Sequence, residues 1–267
     1  MKQVLITGKS GYIATRFDAY LKQFPEEYRA VPVSLRGVDW ERMDFSQYDA
    51  VVHTAGLAHI KETSENAGDY YAVNRDLAES AAKKARAEGV RQFLLLSSGS
   101  VYGLTEGVIT AETRPCPRTH YGKAKLQGEE AVVSLRTPDF KVAVFRPLMV
   151  YGEGCKGNYR SLEKLARIAP MLPDYQNRRS LVSIETLCAC MKNVLDQEVE
   201  GIFFPREEKP LCTCEMIQEI AEGQGRHLRR LRLLNPAVSL LRRTTAAGRK
   251  AFGDLVYQDL NYLPFDR

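Results

Sequence analysis

The stretch Val4-Leu5-Ile6-Thr7-Gly8-Lys9-Ser10-Gly11-Tyr12-Ile13-Ala14 decides the fold. Its first four residues, apolar or β-branched, read as a buried strand. Two glycines three apart then break the run, and a helical pattern continues to about Phe24. In such a strand–turn–helix the first glycine permits a tight turn and the second lets backbone approach a pyrophosphate. A small residue three positions on lets helix and strand pack closely. Gly8, Gly11 and Ala14 occupy those places, and the helix N-terminus faces the site where phosphates bind. The stretch therefore reads as a dinucleotide site; a tight turn without a ligand is the alternative the motif alone leaves open.

Working outward, strand-like runs recur at 28–34, 50–53, 92–97 and 142–145, with helical patterns at about 67–88 and 121–135. Strand–helix alternation of this kind implies a parallel sheet covered on both faces. The fold class is α/β: a Rossmann-type doubly wound parallel sheet over residues 1–150. Only 35–49 separate the second and third strands, so a turn or two of helix is expected there at most. After Pro147 the texture changes. Gly152, Gly154 and Gly157 break the chain, short helical patterns follow at about 159–168, 185–196 and 213–222, and strand-like pieces at 180–183 and 202–204. This reads as a small mixed C-terminal substrate lobe, 151–267, interleaved with the Rossmann core.

Composition bounds the function. The chain has 267 residues, 44% hydrophobic and 27% charged, ordinary for a globular protein. No apolar run approaches the ~20 residues of a membrane helix. The first residues enter a strand at once and leave no room for a secretory signal, so a cytoplasmic protein is expected. Cys188/Cys190 and Cys212/Cys214 form C-x-C pairs, with Cys116 and Cys155 besides. Their spacing is wrong for zinc knuckles and no histidine lies near, so buried reduced thiols are expected and no metal. Net charge is +5, and 226–253 carries eight basic residues and no acid. That segment suits a solvated helix face, a phosphorylated ligand or peripheral contact with a membrane. It lacks the interleaved aromatics that stack on bases, so nucleic acid is not expected.

The chemistry centres on Tyr121-Gly122-Lys123-Ala124-Lys125, preceded by Ser97-Ser98-Gly99-Ser100-Val101-Tyr102-Gly103. Tyr121 and Lys125, four apart, share one helix face. An ammonium beside a phenol favours phenolate and is expected to lower the tyrosine pKa. Ser98 can hydrogen-bond the same substrate oxygen. These groups can move a proton to or from an alcohol while a cofactor moves the hydride. At the end of the second strand, Ser34-Leu35-Arg36 carries no acid. A small hydroxyl with Arg36 suits a 2′-phosphate, so NADP(H) is favoured over NAD(H); Asp39 or Asp44 contacting the adenosine would reverse this.

TGKSGYIA, HTAG (His53–Gly56), Asn74, SSGSVYG, YGKAK and RPLMVYG (Arg146–Gly152) occur in this order over roughly residues 1–200. Together they resemble the extended short-chain dehydrogenase/reductases, the nucleotide-sugar epimerase/dehydratase family. The resemblance implies a pyrophosphate loop of Gly8, Ser10, Gly11, Tyr12 and Ile13, with Ala55 and Gly56 flanking the cofactor ribose. It makes Tyr121 the acid/base, Lys125 the ribose-holding and tuning residue, and Ser98 the partner of the reacting oxygen, with Ser100 its nearest rival. Pro147 and Val150 would sit by the nicotinamide. For Asn74 a local structural role is as good as a direct contact. Asn158 and Arg179 would line the nucleotide-diphosphate pocket of a UDP-sugar. Dehydratases of this family place Asp-Glu after the catalytic hydroxyl; Gly99-Ser100 here argues against a 4,6-dehydratase. Reduction of a UDP-4-keto-6-deoxy (amino) sugar in surface-polysaccharide biosynthesis is the leading expectation. A UDP-hexose 4-epimerase with tightly bound NAD and a non-catalytic dinucleotide sensor or scaffold are the alternatives. A homodimer is an expectation of the resemblance alone.

Overall fold

The structure, a computed structural model, describes residues 1–58, 60–155 and 157–260. Its strands are β1 (Lys2–Thr7), β2 (Tyr28–Val33), β3 (Ala50–His53), β4 (Gln92–Leu96), β5 (Gly107–Ile109), β6 (Lys141–Phe145), β7 (Val150–Tyr151), β8 (Met171–Pro173), β9 (Val182–Ser183), β10 (Gly201–Phe203), β11 (Arg229–Leu231) and β12 (Leu255–Tyr257). The helices are α1 (Tyr12–Leu21), α2 (Ala67–Tyr71), α3 (Leu77–Ala87), α4 (His120–Val133), α5 (Asn158–Ile168), α6 (Ile184–Gln197), α7 (Thr213–Gly223), α8 (Asn235–Thr244) and α9 (Ala246–Phe252).

Six parallel strands form the main sheet in the order β10-β6-β4-β3-β1-β2. Side chains alternate between its faces: Val4, Ile6, Ala50 and Val52 enter one core cluster with α1 and α6, while Leu5 and Val51 enter the other. A parallel sheet needs this, because helices cover both of its faces. On the second face Ala78, Ala81, Ala82 and Ala85 form a stripe of small residues that brings α3 close to the strands.

The connection after β2 holds one 3₁₀ turn, Asp39–Arg42, as its length demands. Among the described residues no strand lies beyond β2, which forms a sheet edge and tolerates Pro32 opposite Ile6. The chain therefore reverses direction across the sheet between β1 and β3. That crevice, at the carboxyl ends of the strands, is where open α/β sheets bind ligands.

Two elements differ from the sequence reading. The helix expected over 67–88 is broken by a π turn at Ala72–Asp76, an irregularity frequent at functional sites. The strand-like piece at 202–204 belongs to the main sheet: β10 pairs with β6, and α6 packs against α1. Outside the main sheet, among the described residues, β5 pairs with β12, β7 with β9 and β8 with β11. Cys116 is exposed, contrary to expectation, and the other five thiols are buried. Among the described residues no group of three His, Cys, Asp or Glu could hold a metal, and no helix is long and apolar enough to cross a membrane.

Candidate active site

Gly8 follows β1 with φ +86°, a conformation costly for any residue with a side chain. A Cβ there would lie 2.9 Å from the Ala55 backbone nitrogen. The turns after β1 and β3 thus touch across the crevice, and only glycine lets them. α1 starts at Gly11 with no side-chain cap and no acid in its first turn, so its leading N–H groups stay available to an anion.

These turns line one side of a cleft of about 840 Å³. Gly8, Ser10, Gly11, Tyr12, Ile13, Arg36, Ala55, Gly56, Pro147 and Val150 all border it, as do Ser98, Tyr121 and Lys125. At its far end Ser34, Leu35, Arg36 and Gly37 contribute no carboxylate. The fit to a dinucleotide is therefore physical: a glycine cradle, open helix N–H groups and sufficient volume.

The hydroxyl end is built from the ends of β4 and α4. Ser98 caps the 3₁₀ turn Gly99–Tyr102, accepting from the Ser100 N–H at 3.1 Å and donating to the Ser100 hydroxyl at 3.1 Å. Ser100 itself does not border the cleft. α4 starts with two caps. Thr119 Oγ1 accepts from Gly122 N–H at 3.0 Å, and the Glu62 carboxylate accepts from His120 and Tyr121 N–H at 3.1 and 2.9 Å. Asn74, on the π turn and buried, latches the chain after β3: Oδ1 accepts from Leu57 N–H at 3.1 Å and Nδ2 donates to Leu57 O at 3.0 Å. It also borders the cleft, while the contacts it makes are the structural ones to Leu57. The π turn can approach α4 because residue 128 is glycine; a Cβ there would lie 2.4 Å from Asn74 O.

One electrostatic expectation is overturned. Lys125 does not hold the Tyr121 phenol at a low pKa. Burial pushes Tyr121 above its usual value, a hydrogen bond from Ser98 pulls it back, and Tyr70 raises it further. Lys125 Nζ instead donates to Leu96 O at 2.9 Å. Burial lowers Lys125 to about 8, with Glu129 opposing the fall.

Below Lys125 lies a buried polar cluster that motif reading missed. Arg146 pairs with Glu129, Nη2 to Oε2 at 2.6 Å, and Nη1 donates to the Tyr102 hydroxyl at 2.8 Å. Ser97 also bonds Glu129, and the Tyr257 hydroxyl donates to Arg146 O at 2.6 Å. Glu129 follows Lys125 by four residues, so a second charge on one buried helix face was the available signal. Glu62, in an irregular loop far from α4 in sequence, gave none.

Arg179 is not brought to the cleft. Its guanidinium is buried and donates to Gly253 O at 2.8 Å, while its backbone bridges Leu211 and Leu255. The contacts shown for Arg179 are therefore structural ones, to backbone of segments remote in the chain. Asn158 opens α5, and its side chain lies outside the described part of the structure.

A strand–turn–helix cradle beside a serine, tyrosine and lysine defines a nucleotide-dependent enzyme of the Rossmann class. The chain belongs to the NAD dependent epimerase/dehydratase family, whose family model matches residues 4–202. It is similar to UDP-glucose 4-epimerase of Vibrio cholerae, 29% identical over 248 residues covering 82% of this chain and 75% of the relative. GDP-6-deoxy-D-mannose reductase of Pseudomonas aeruginosa is 28% identical over 192 residues, covering 67% of this chain; the chain spans 62% of that relative's length. Its fold is also that of UDP-glucuronic acid 4-epimerase from Bacillus cereus in complex with NAD, at TM-score 0.71, 17% identity and 94% coverage of both chains.

Proposed function

We propose that this chain transfers hydride at C4 of a UDP-sugar, working as an NADP(H)-dependent reductase of a UDP-4-keto-6-deoxy (amino) sugar in surface-polysaccharide biosynthesis. The observation that carries the reading is the convergence of Ser98, Tyr121 and Lys125 on the cleft that also holds the glycine cradle. A bound nicotinamide supplies the hydride. Tyr121, kept protonated by burial, suits the task of donating a proton to a carbonyl oxygen as it becomes an alcohol. Ser98, bordering the same cleft as Tyr121, polarises that oxygen. Lys125, held to the β4 end by Leu96, fixes a positive charge under the reacting groups.

The carboxylate-free wall at Ser34–Gly37 supports NADP(H), and with it a reaction that consumes its reductant. The similarity to UDP-glucose 4-epimerase favours a second reading, 4-epimerisation with retained NAD. Mass spectrometry of the co-purified nucleotide, followed by a panel of UDP-sugars and their 4-keto forms with NADH and NADPH, separates the two. Stoichiometric oxidation of NADPH by a 4-keto sugar supports reduction. Interconversion of C4 epimers without net cofactor turnover replaces it with the second reading, and bound nucleotide without hydride exchange to any sugar leaves only a sensor or scaffold.

A further inference from the structure

α8 is amphipathic the wrong way round for a helix that packs on a core. Its inner side is fixed mainly by polar contacts: Asn235 Nδ2 donates to Asp174 O at 2.9 Å, and Arg242 reaches the Tyr175 hydroxyl and Glu106, each at 3.1 Å. Val238 is its one buried side chain. Its outer side carries Leu233, from the preceding turn, then Pro236, Ala237, Leu240, Leu241 and Thr244, all exposed and spaced at three- and four-residue intervals. Leu233 is 88% exposed, Leu240 63% and Leu241 44%, too many large apolar groups in one stripe to be scatter. The Thr244 hydroxyl donates to Leu240 O at 2.8 Å, which internally satisfies the polar atom of that stripe.

The charge around the stripe has one sign. Arg230 pairs with Asp174 and Glu215, Arg232 shares Asp174, and Arg242 pairs with Glu106. Arg229, Arg243, Arg249 and Lys250 have no carboxylate partner among the described residues, and 226–253 holds no acid. A second copy docked face to face would crowd Arg243, Arg249 and Lys250 of one copy against the same cationic rim of the other, with no acid in 226–253 to meet them. An apolar stripe rimmed by uncompensated cations is complementary to anionic headgroups over acyl chains.

We propose that the outer face of α8, with Arg243 and, from the adjoining α9, Arg249 and Lys250, rests on an anionic lipid surface. The helix lies in the interface plane, Leu233, Leu240 and Leu241 enter the acyl boundary, and the cations meet phosphates. This contact is independent of the hydride chemistry, since α8 does not border the cleft.

The test is co-sedimentation of the full chain with phosphatidylcholine vesicles, with and without about a third phosphatidylglycerol. Binding is expected only with the anionic lipid, weakening with added salt. Each cation removed in Arg243→Gln and Lys250→Gln should lower partitioning about fivefold. The double variant Leu240→Ser, Leu241→Ser should abolish it while near-ultraviolet circular dichroism stays unchanged. No co-sedimentation, equal binding to neutral vesicles, or loss in the leucine variant without any effect of the charge variants would overturn the proposal. So would a dimer in sedimentation velocity that dissociates on Leu240→Ser, Leu241→Ser, which would assign the stripe to a second copy.

Discussion

Two buried cations sit in two different regions and do different things. At the carboxyl edge of the main sheet Lys125 donates to Leu96 O at 2.9 Å and borders the cleft. In the outer part of the chain Arg179, equally withdrawn from water, donates to Gly253 O at 2.8 Å and stays out of the cleft. The first is placed by helix spacing and a strand end, so its neighbours follow from a few residues of sequence. The second is placed by isolated bridges to Leu211 and Leu255, segments remote in the chain. A motif is informative where local geometry aims the side chain, and uninformative where long-range pairing does.

The largest effect expected is on the first region. Tyr121→Phe should lower kcat about 10²- to 10⁴-fold, with the thermal midpoint and nucleotide binding nearly unchanged; wild-type turnover would remove Tyr121 from the chemistry. Glu129→Ala leaves Arg146 buried and unpaired, so it should cost about 3–5 kcal/mol in urea denaturation. A loss below about 1 kcal/mol would mean that Arg146 finds another partner.

His53 sharpens the contrast through pH. It is buried at the end of β3, and burial, with Lys125 adding to it, lowers its pKa from 6.5 to about 3. The unfolded chain takes up a proton that the folded chain refuses. The stability linked to His53 is complete above pH 6.5 and falls as the pH drops toward 3, by about 3 kcal/mol at pH 4. A urea series from pH 7 to 4 on wild type and His53→Asn should show a flatter slope in the variant; parallel slopes would exclude His53 as the source.

Arg179→Met gives the smallest effect and separates the regions most directly. It should cost about 1.5–3 kcal/mol of stability, from a lost charged hydrogen bond, and leave the sugar KM within about twofold. A tenfold rise in KM with stability unchanged would return Arg179 to the ligand.

The first 150 residues were legible because each strand is an apolar run and each functional group stands at a strand end or a helix start. β1, α1, β3, β4 and α4 all fall within a few residues of their expected places. The π turn was not legible, because no residue type marks it. Glu62 was hidden for the opposite reason: its partners, the N–H groups of His120 and Tyr121, are backbone atoms that every sequence has. The Tyr121 electrostatics were misjudged because i,i+4 spacing sets neighbourhood and not direction, and Leu96 O captures the ammonium. In 226–253 composition showed the charge but not which side of α8 faces out.

The bond from Tyr257 to Arg146 O spans 111 positions and props the loop that carries Ser98; a Cβ on Gly99 would lie 3.0 Å from the Tyr257 hydroxyl. A nascent chain that has emerged only as far as α6 already holds every residue bordering the cleft, yet lacks this prop. Synthesis thus delivers the lining of the cleft well before the strand that buttresses it, so a chain cut short before β12 would carry the reacting groups without this support.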